Sequence, residues 1–536
     1  MKAGRITLPS APASQLTANK STMFHMLSCP RGTPPPTCTP LLPSRPLQTQ
    51  FKRTIPSSSA SHTATSTPST APPTTDALNS LLRWCIEQHN LPACIIEPTI
   101  VEDELDPSQP AIGFACSLPP GTPASKGDIL LEIPADLAIT SVDVAKDPLL
   151  SVLAEGRSEL VGLALFLMKE RGVLAPSSAL PSQWAPLLAT LPEAIDTPVL
   201  WPDDERQALL KGSPVLEEAR ARERALDEEW ESIVGAAAAA AADVQLDGNS
   251  SLQAFKNAMS VVLATASYLP SAQCFALLPV IGALRRTGSA AGAVLDYDVD
   301  RQSVVLSATR PYTRGQEVRL YDGRPNGEIL LATGRVEPTN PNDFLMLPAA
   351  LVPADRLYSQ KRSILEAFEF GPTEEFPIYE DRMATQHLAY MRLARLTDPA
   401  QIAKITFDQD VIVSPENEYE VLQLIMSDLR DRNQAYDTQY EEDLKELQRR
   451  DLQPRERVAL ALKVGEKRVV RGTMDGVRRR LAPIRGIPSK AGNLQDPNAD
   501  FKEMFDTIEG LPSAPKRFLD GLTKWARGDY DDEFTR

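Results

Sequence analysis

The sequence predicts an α+β protein in which a β-rich module split by helices precedes a helical module. Three observations carry this. Short strand-like runs bounded by Gly, Pro and Asp occupy 93–133 and return at 294–321. Between them, apolar residues recur at helical spacing. From Asp355 to about Arg485 the pattern is helical throughout, which makes the last large module all-α.

Taken in chain order, residues 1–75 contain seven Lys or Arg and no Asp or Glu, among abundant Ser, Thr, Ala and Pro. That composition reads as a plastid transit peptide, the alternative being a disordered tail. The whole chain carries −15, so the remainder carries −22. A short helix over Ala77–His89 leads into strand-like pieces at Ala93–Ile96, Ile112–Ser117 and Ile129–Ile133, with Pro119-Pro120-Gly121 and Lys126-Gly127-Asp128 as turns. Ser158 is placed to cap a helix whose apolar face is Leu160, Leu163, Ala164, Leu167 and Met168, and Gly172 stops it. Residues 203–234 are acidic and amphipathic, and the alanine run at 236–242 reads as a tolerated insertion. A buried helix over Leu252–Tyr268, a turn at Pro270 and a buried strand over Cys274–Ile281 follow. Strands return at Val294–Val299, Ser303–Ala308 and Glu317–Tyr321. In the helical half the clearest segments are Glu416–Arg430, Tyr436–Arg450 and Pro454–Val470. The expected divisions are 1–75 for targeting, 76–345 for the β-rich module with its helical insert at about 157–250, 346–490 for the helical module and 491–536 for a tail with short helices.

Several function classes are excluded or disfavoured at this level. A net −15 argues against a protein that coats nucleic acid through general positive charge. The six cysteines lack a C-x-x-C, and the four histidines form no cluster, so neither a disulfide framework nor a metal site is expected. Residues 257–284 hold no charged side chain, a run of 28, but Pro270, Pro279 and interspersed Ser, Thr and Gln make it a core segment rather than a membrane span.

Local motifs add a resemblance. Leu81-Leu82-Arg83-Trp84, the run Gly127 to Pro134, Leu163 to Leu167, Trp184 to Leu188 with Leu191-Pro192 and Trp201, Gly315 to Val318, Tyr321, Asn326 to Leu331 and Asn340-Pro341 occur in an order and spacing that resembles the plant Rubisco large-subunit lysine methyltransferase type of SET-domain protein. The resemblance covers nearly all of the chain after the targeting segment. It implies a knotted SET core with a helical insert, a helical substrate-binding domain, S-adenosylmethionine as cofactor without a metal, methyl transfer to a protein lysine, and residence in the chloroplast stroma.

The same resemblance locates the site and shows departures there. At the family's Gly-x-Gly stands Ala111-Ile112-Gly113, so only the second glycine remains. At the Arg-Ser-Arg segment stands Ala264-Thr265-Ala266, at the Asn-His pair Arg285-Arg286, and at the Tyr-Gly-Phe motif Thr333-Gly334-Arg335. Gly113, Arg285 and Arg286 are the candidate cofactor-binding residues, and Tyr321 and Thr333 the candidate catalytic positions. Each has a plain alternative: a hairpin glycine, a solvated turn, a core aromatic and a structural threonine. The leading reading is a plastid protein-lysine methyltransferase with degenerate motifs, and the alternative is a non-catalytic SET scaffold that binds a plastid protein or complex through its helical half. Lys463, Lys467, Arg468, Arg471, Arg478, Arg479, Arg480 and Arg485 offer that half a basic face, either solvated or a dock for an acidic protein, with nucleic acid disfavoured because no aromatic platform accompanies it.

Overall fold

Ser158 does cap its helix, accepting a hydrogen bond from the Val161 amide, and Ser251 and Ser414 start two later helices in the same way. The computed structural model describes residues 73–106, 110–174, 182–239, 246 and 250–484. The targeting segment, the alanine run beyond Ala239, Arg485 and the tail lie outside the described residues.

In chain order, helix α1 (Thr75–His89) precedes strands β1 (Ala93–Cys94), β2 (Ile96–Glu102), β3 (Pro110–Cys116) and β4 (Ile129–Pro134). Helices α2 (Ser141–Lys146), α3 (Pro148–Leu153), α4 (Glu159–Glu170), α5 (Ala185–Leu188), α6 (Asp203–Leu210), α7 (Val215–Ala239) and α8 (Leu252–Thr265) follow. Strands β5 (Ser267–Leu269), β6 (Cys274–Ala276), β7 (Arg286–Thr287), β8 (Val294–Asp298), β9 (Ser303–Ser307), β10 (Glu317–Val318) and β11 (Leu320–Tyr321) lead to α9 (Asn326–Thr333). Last come β12 (Phe344–Ala350), α10 (Tyr358–Ala367), β13 (Thr373–Tyr379), α11 (Thr385–Arg395), α12 (Pro415–Ala435), α13 (Tyr440–Leu447) and α14 (Pro454–Leu481). The α+β class holds.

The β-rich part consists of small sheets: β1-β4-β9-β8, β10-β3-β2, the β5-β6 hairpin and the parallel pair β11-β7. That parallel pair sets Leu320 beside Arg286 and Tyr321 beside Thr287, so a segment 34 residues downstream returns to the Arg285-Arg286 turn. The expected long strand over 274–281 is shorter: it ends at Ala276, and Val280 takes a left-handed backbone before a single turn of 3-10 helix at Ile281–Ala283. The preceding helix stops at Thr265, because the chain must extend ahead of Pro270 to pair as β5.

The expectation of helix throughout 355–485 is corrected at one element. β13 lies antiparallel to β12 over seven residue pairs. Pro377 forces extension on Phe376 and denies a helix its amide there. Two apolar clusters result. One gathers Leu78 through Val336, the other Leu345 through Leu481. α14 enters both, giving Ala459, Ala461 and Leu462 to the first and Val469, Val470, Val477 and Leu481 to the second. Among the described residues no helix is long and apolar enough to cross a membrane, and no group of His, Cys, Asp or Glu is arranged to hold a metal.

Candidate functional site

Gly113 sits in the middle of β3, opposite Thr99 of β2. A Cβ there would come within 2.9 Å of the Glu317 Oε1 atom and 3.3 Å of Val101, so a side chain at this position would displace the neighbouring strand's carboxylate. Glu317 in turn accepts from Arg285 Nη1 at 3.1 Å and from Arg319 Nε at 2.6 Å. Arg285 also donates to the Glu102 carbonyl at 3.2 Å, and Arg319 pairs with Glu104. A ladder of alternating charge therefore ties β2 and β10 to the Arg285 turn. Arg285 is largely buried, and its Nη1 is held in that ladder by the Glu317 carboxylate and the Glu102 carbonyl.

Arg286 meets the Ala264–Ala266 segment, a second motif position. Its Nη2 donates to the carbonyls of Ala264 and Ala266, each at 3.4 Å, while Nη1 lies 3.8 Å from Asp322. Asp322 is also held by Arg324, through Nε at 2.7 Å and Nη2 at 2.5 Å. Burial pulls the Arg286 guanidinium down to about 10 despite the attraction of Asp322. Burial alone would raise the Asp322 carboxyl, but the two arginines outweigh it and hold it at about 2.

The Thr333 hydroxyl turns back into its own helix, donating to the Ile329 carbonyl at 2.8 Å and accepting from the Arg335 amide at 3.3 Å. Gly334 ends α9 at φ 67°, and a Cβ there would collide with the Asp196 carbonyl oxygen. Thr333 thus closes a helix, and the exposed Arg335 faces Asp103 at 4.0 Å. Tyr321 is half-buried in β11, its amide donating to the Ala293 carbonyl at 2.8 Å and its hydroxyl lying over Gly323.

Sequence reasoning missed the acids that complete this region. Glu317, Asp322, Glu337 and Asp343 take up its cations and amides. Glu337 accepts from Thr287 Oγ1 at 2.8 Å and the Gly288 amide at 2.6 Å. Asp343 accepts from the Asn326 amide at 2.7 Å and its Nδ2 at 2.8 Å, yet burial still pushes its carboxyl up to about 6. The available signal was indirect: two adjacent arginines following a buried strand need buried acids.

The basic face is likewise rearranged. Lys467 is buried against Asp443 and Thr438, Arg468 pairs with Glu380 at 3.1 Å, Arg471 with Glu441, Arg478 with Asp475 at 2.5 Å and Arg480 with Asp410 at 2.7 Å. Most of its charge is spent inside the molecule. Arg479 lines a cleft of about 470 Å³ with Tyr379, Arg382, Asp343 and Asn340.

The fold is similar to that of solved SET-domain structures, with a helical C-terminal half. Residues 352–470 match the family model described as Rubisco LSMT substrate-binding. The structure superposes on the crystal structure of the SET domain of LSMT bound to lysine and AdoHcy with a TM-score of 0.61, at 18% identity, covering 84% of this chain and 99% of that one. For the structure of Rubisco LSMT bound to AdoMet the TM-score is 0.60, at 19% identity, with 83% and 99% covered. Among curated proteins, the chain is 25% identical over 362 residues to the chloroplastic [fructose-bisphosphate aldolase]-lysine N-methyltransferase of Arabidopsis thaliana, covering 64% of this chain and 73% of that protein. It is 23% identical over 367 residues to the human actin-histidine N-methyltransferase, covering 64% of this chain and 60% of that one. The resemblance read from the motifs is thus borne out in the substrate-binding module and in the fold.

Proposed function

We propose that this chain is a plastid protein of the SET methyltransferase type whose working surface is the helical half, which binds a protein, while the SET half serves as a scaffold that does not take S-adenosylmethionine. One observation carries the reading. Both arginines at the family's Asn-His position are drawn to internal partners, Arg285 through Nη1 to Glu317 and Arg286 to Asp322 and the Ala264 and Ala266 carbonyls. The cofactor's carboxylate would need free cationic or amide donors. Ala264, Thr265 and Ala266 supply no such side chain, since the Thr265 hydroxyl donates to the Val261 carbonyl at 2.7 Å. The residues present do not fit the group, and no step is routed through it. Residence in the plastid is supported by the acid-free first 75 residues and by the chloroplastic relative.

Isothermal titration of the full chain with S-adenosylmethionine tests this. Two absent guanidinium contacts, each worth about 1.5 to 3 kcal/mol, weaken binding by roughly two to four orders of magnitude. Binding at micromolar concentration overturns the reading. A second reading, methyl transfer to a protein lysine, is favoured by Tyr321, which retains a phenol on β11 beside Thr287. Radiolabelled methyl incorporation into stromal proteins that Tyr321→Phe abolishes would establish it. A fluorescent reporter fused to residues 1–75 should enter the plastid, and one left in the cytosol removes that part of the proposal.

A further inference from the structure

Six acidic side chains are buried among the described residues: Glu132, Asp322, Asp343, Glu418, Asp443 and Glu466. Five have a cation within 4 Å, namely Arg301, Arg324, Arg468, Arg392 and Lys467 respectively. Glu466, on α14, is held by two hydroxyls instead. Ser213 Oγ, in the turn between α6 and α7, donates to Oε1 at 2.7 Å, and Tyr436 Oη, at the end of α12, donates to Oε2 at 3.0 Å. Ser213 and Glu466 are 253 residues apart, so this carboxyl joins the insert of the SET half to the helical half. A second link lies alongside it, the exposed pair Lys211–Asp437 at 2.8 Å.

We propose that Glu466 is a proton-operated latch: while its carboxyl is protonated it clamps the insert turn and the end of α12 onto α14, and when it ionises in this buried place the clamp loosens.

Burying a carboxylate beside neutral hydroxyls costs more than burying the acid, because hydroxyls do not replace the lost hydration or neutralise the charge. The surrounding charges do not remedy this. Arg432 of α12 attracts the carboxylate but is engaged with the Met346 carbonyl at 3.5 Å. Lys463 and Lys467 lie on α14 itself, Lys467 being bound to Asp443 of α13, with Asp437 close to Lys463. Asp343, across α14, adds repulsion. Burial accordingly pushes the Glu466 carboxyl up to about 7, against the opposing pull of Ser213, Tyr436 and Arg432. With an ordinary value of 4.5, the group adds stability that is complete below pH 4.5 and lost as pH rises through about 7.

Hydrogen exchange of the full chain at pH 6.0 and 8.5, corrected for the intrinsic rate, tests the latch. In the native sequence, peptides spanning 205–220, 430–440 and 458–470 should lose protection by about tenfold or more at the higher pH, while α4 does not change. Glu466→Gln keeps the two hydroxyl partners and cannot ionise, so its protection should be the same at both values. An equal loss in Glu466→Gln, or no loss in the native sequence, overturns the proposal. Should Glu466→Gln fail to fold, Tyr436→Phe decides the matter: removing a donor that favours the carboxylate shifts the midpoint of the exchange change to higher pH, and an unmoved midpoint overturns the latch. Asp343→Asn should leave the response at Ser213 in place, and its disappearance would assign the titration to Asp343 instead. Each outcome is separate from the S-adenosylmethionine titration, so latch and scaffold reading stand or fall independently.

Discussion

The region around Arg285 and the region around Arg392 both bury arginines, and they do so for different ends. In the helical half, Arg392 is 1% exposed and binds Glu418 through Nε at 2.6 Å and Nη2 at 2.9 Å, with Asp410 at 2.7 Å. That constellation is a structural rivet inside a matched domain. In the SET half, Arg285 and Arg286 stand at positions that the resemblance assigns to cofactor contacts, and they are held by Glu317, Asp322 and backbone carbonyls. On the scaffold reading proposed above, a guanidinium takes over a ligand-binding position by recruiting internal acids, leaving the fold intact while removing the donors a ligand would need.

The contrast between the two regions is broken most forcefully at the rivet. Arg392→Met should cost about 3 to 5 kcal/mol, because Glu418 would remain buried with only the distant Arg480, at 4.0 Å, as a cation. Urea unfolding measures it, and a loss under about 1 kcal/mol would mean that water reaches Glu418. Next comes the closure of α9: Gly334→Ala places a Cβ against the Asp196 carbonyl at a left-handed backbone and should cost about 2 to 3 kcal/mol. A neutral result would show that Asp196 yields easily.

The ladder itself is weaker. Glu317→Gln should cost about 1 kcal/mol, since Arg285 and Arg319 keep other partners, and it should not create S-adenosylmethionine binding. Acquired binding would show that the ladder alone prevents it. Acid titration sharpens the same contrast. With Asp322 held at about 2 against an ordinary 3.8, its stabilising contribution is present above pH 3.8 and lost as pH falls through about 2. Asp322→Asn should flatten that limb of a melting-temperature profile. The smallest effect is expected at Arg478→Glu, an exposed site paired with Asp475, which should change stability by less than about 0.5 kcal/mol and leave partner capture unchanged. Lost capture would restore the basic face as a dock.

Much of the architecture was legible because its causes are local. Ser158 announces a helix start, Gly172 follows the end of α4, and the Lys126–Asp128 turn introduces β4. The strand at Thr373–Tyr379 was not legible. Its reason for being extended is its partner Phe344–Ala350, some thirty residues earlier, as much as its own Pro377. Likewise the end of α8 at Thr265 answers to the β5-β6 hairpin rather than to its own periodicity.

At the site, the sequence could point to Gly113, Arg285, Arg286, Tyr321 and Thr333 through their place among motifs. It could not say that Thr333 turns into its own helix, or that the basic run on α14 is answered by Asp443, Glu380, Glu441, Asp475 and Asp410. By itself the sequence determined the order and kind of most elements and the charge segregation of the first 75 residues, since these depend on periodicity, capping and composition over a few residues. Only the tertiary structure decided which acid meets which base, that α14 serves two cores, and that Glu466 is buried with hydroxyls instead of a cation. Pairing and desolvation depend on what the rest of the chain brings within about 4 Å, and residues as distant in sequence as Ser213 and Glu466 become neighbours only when the whole unit folds.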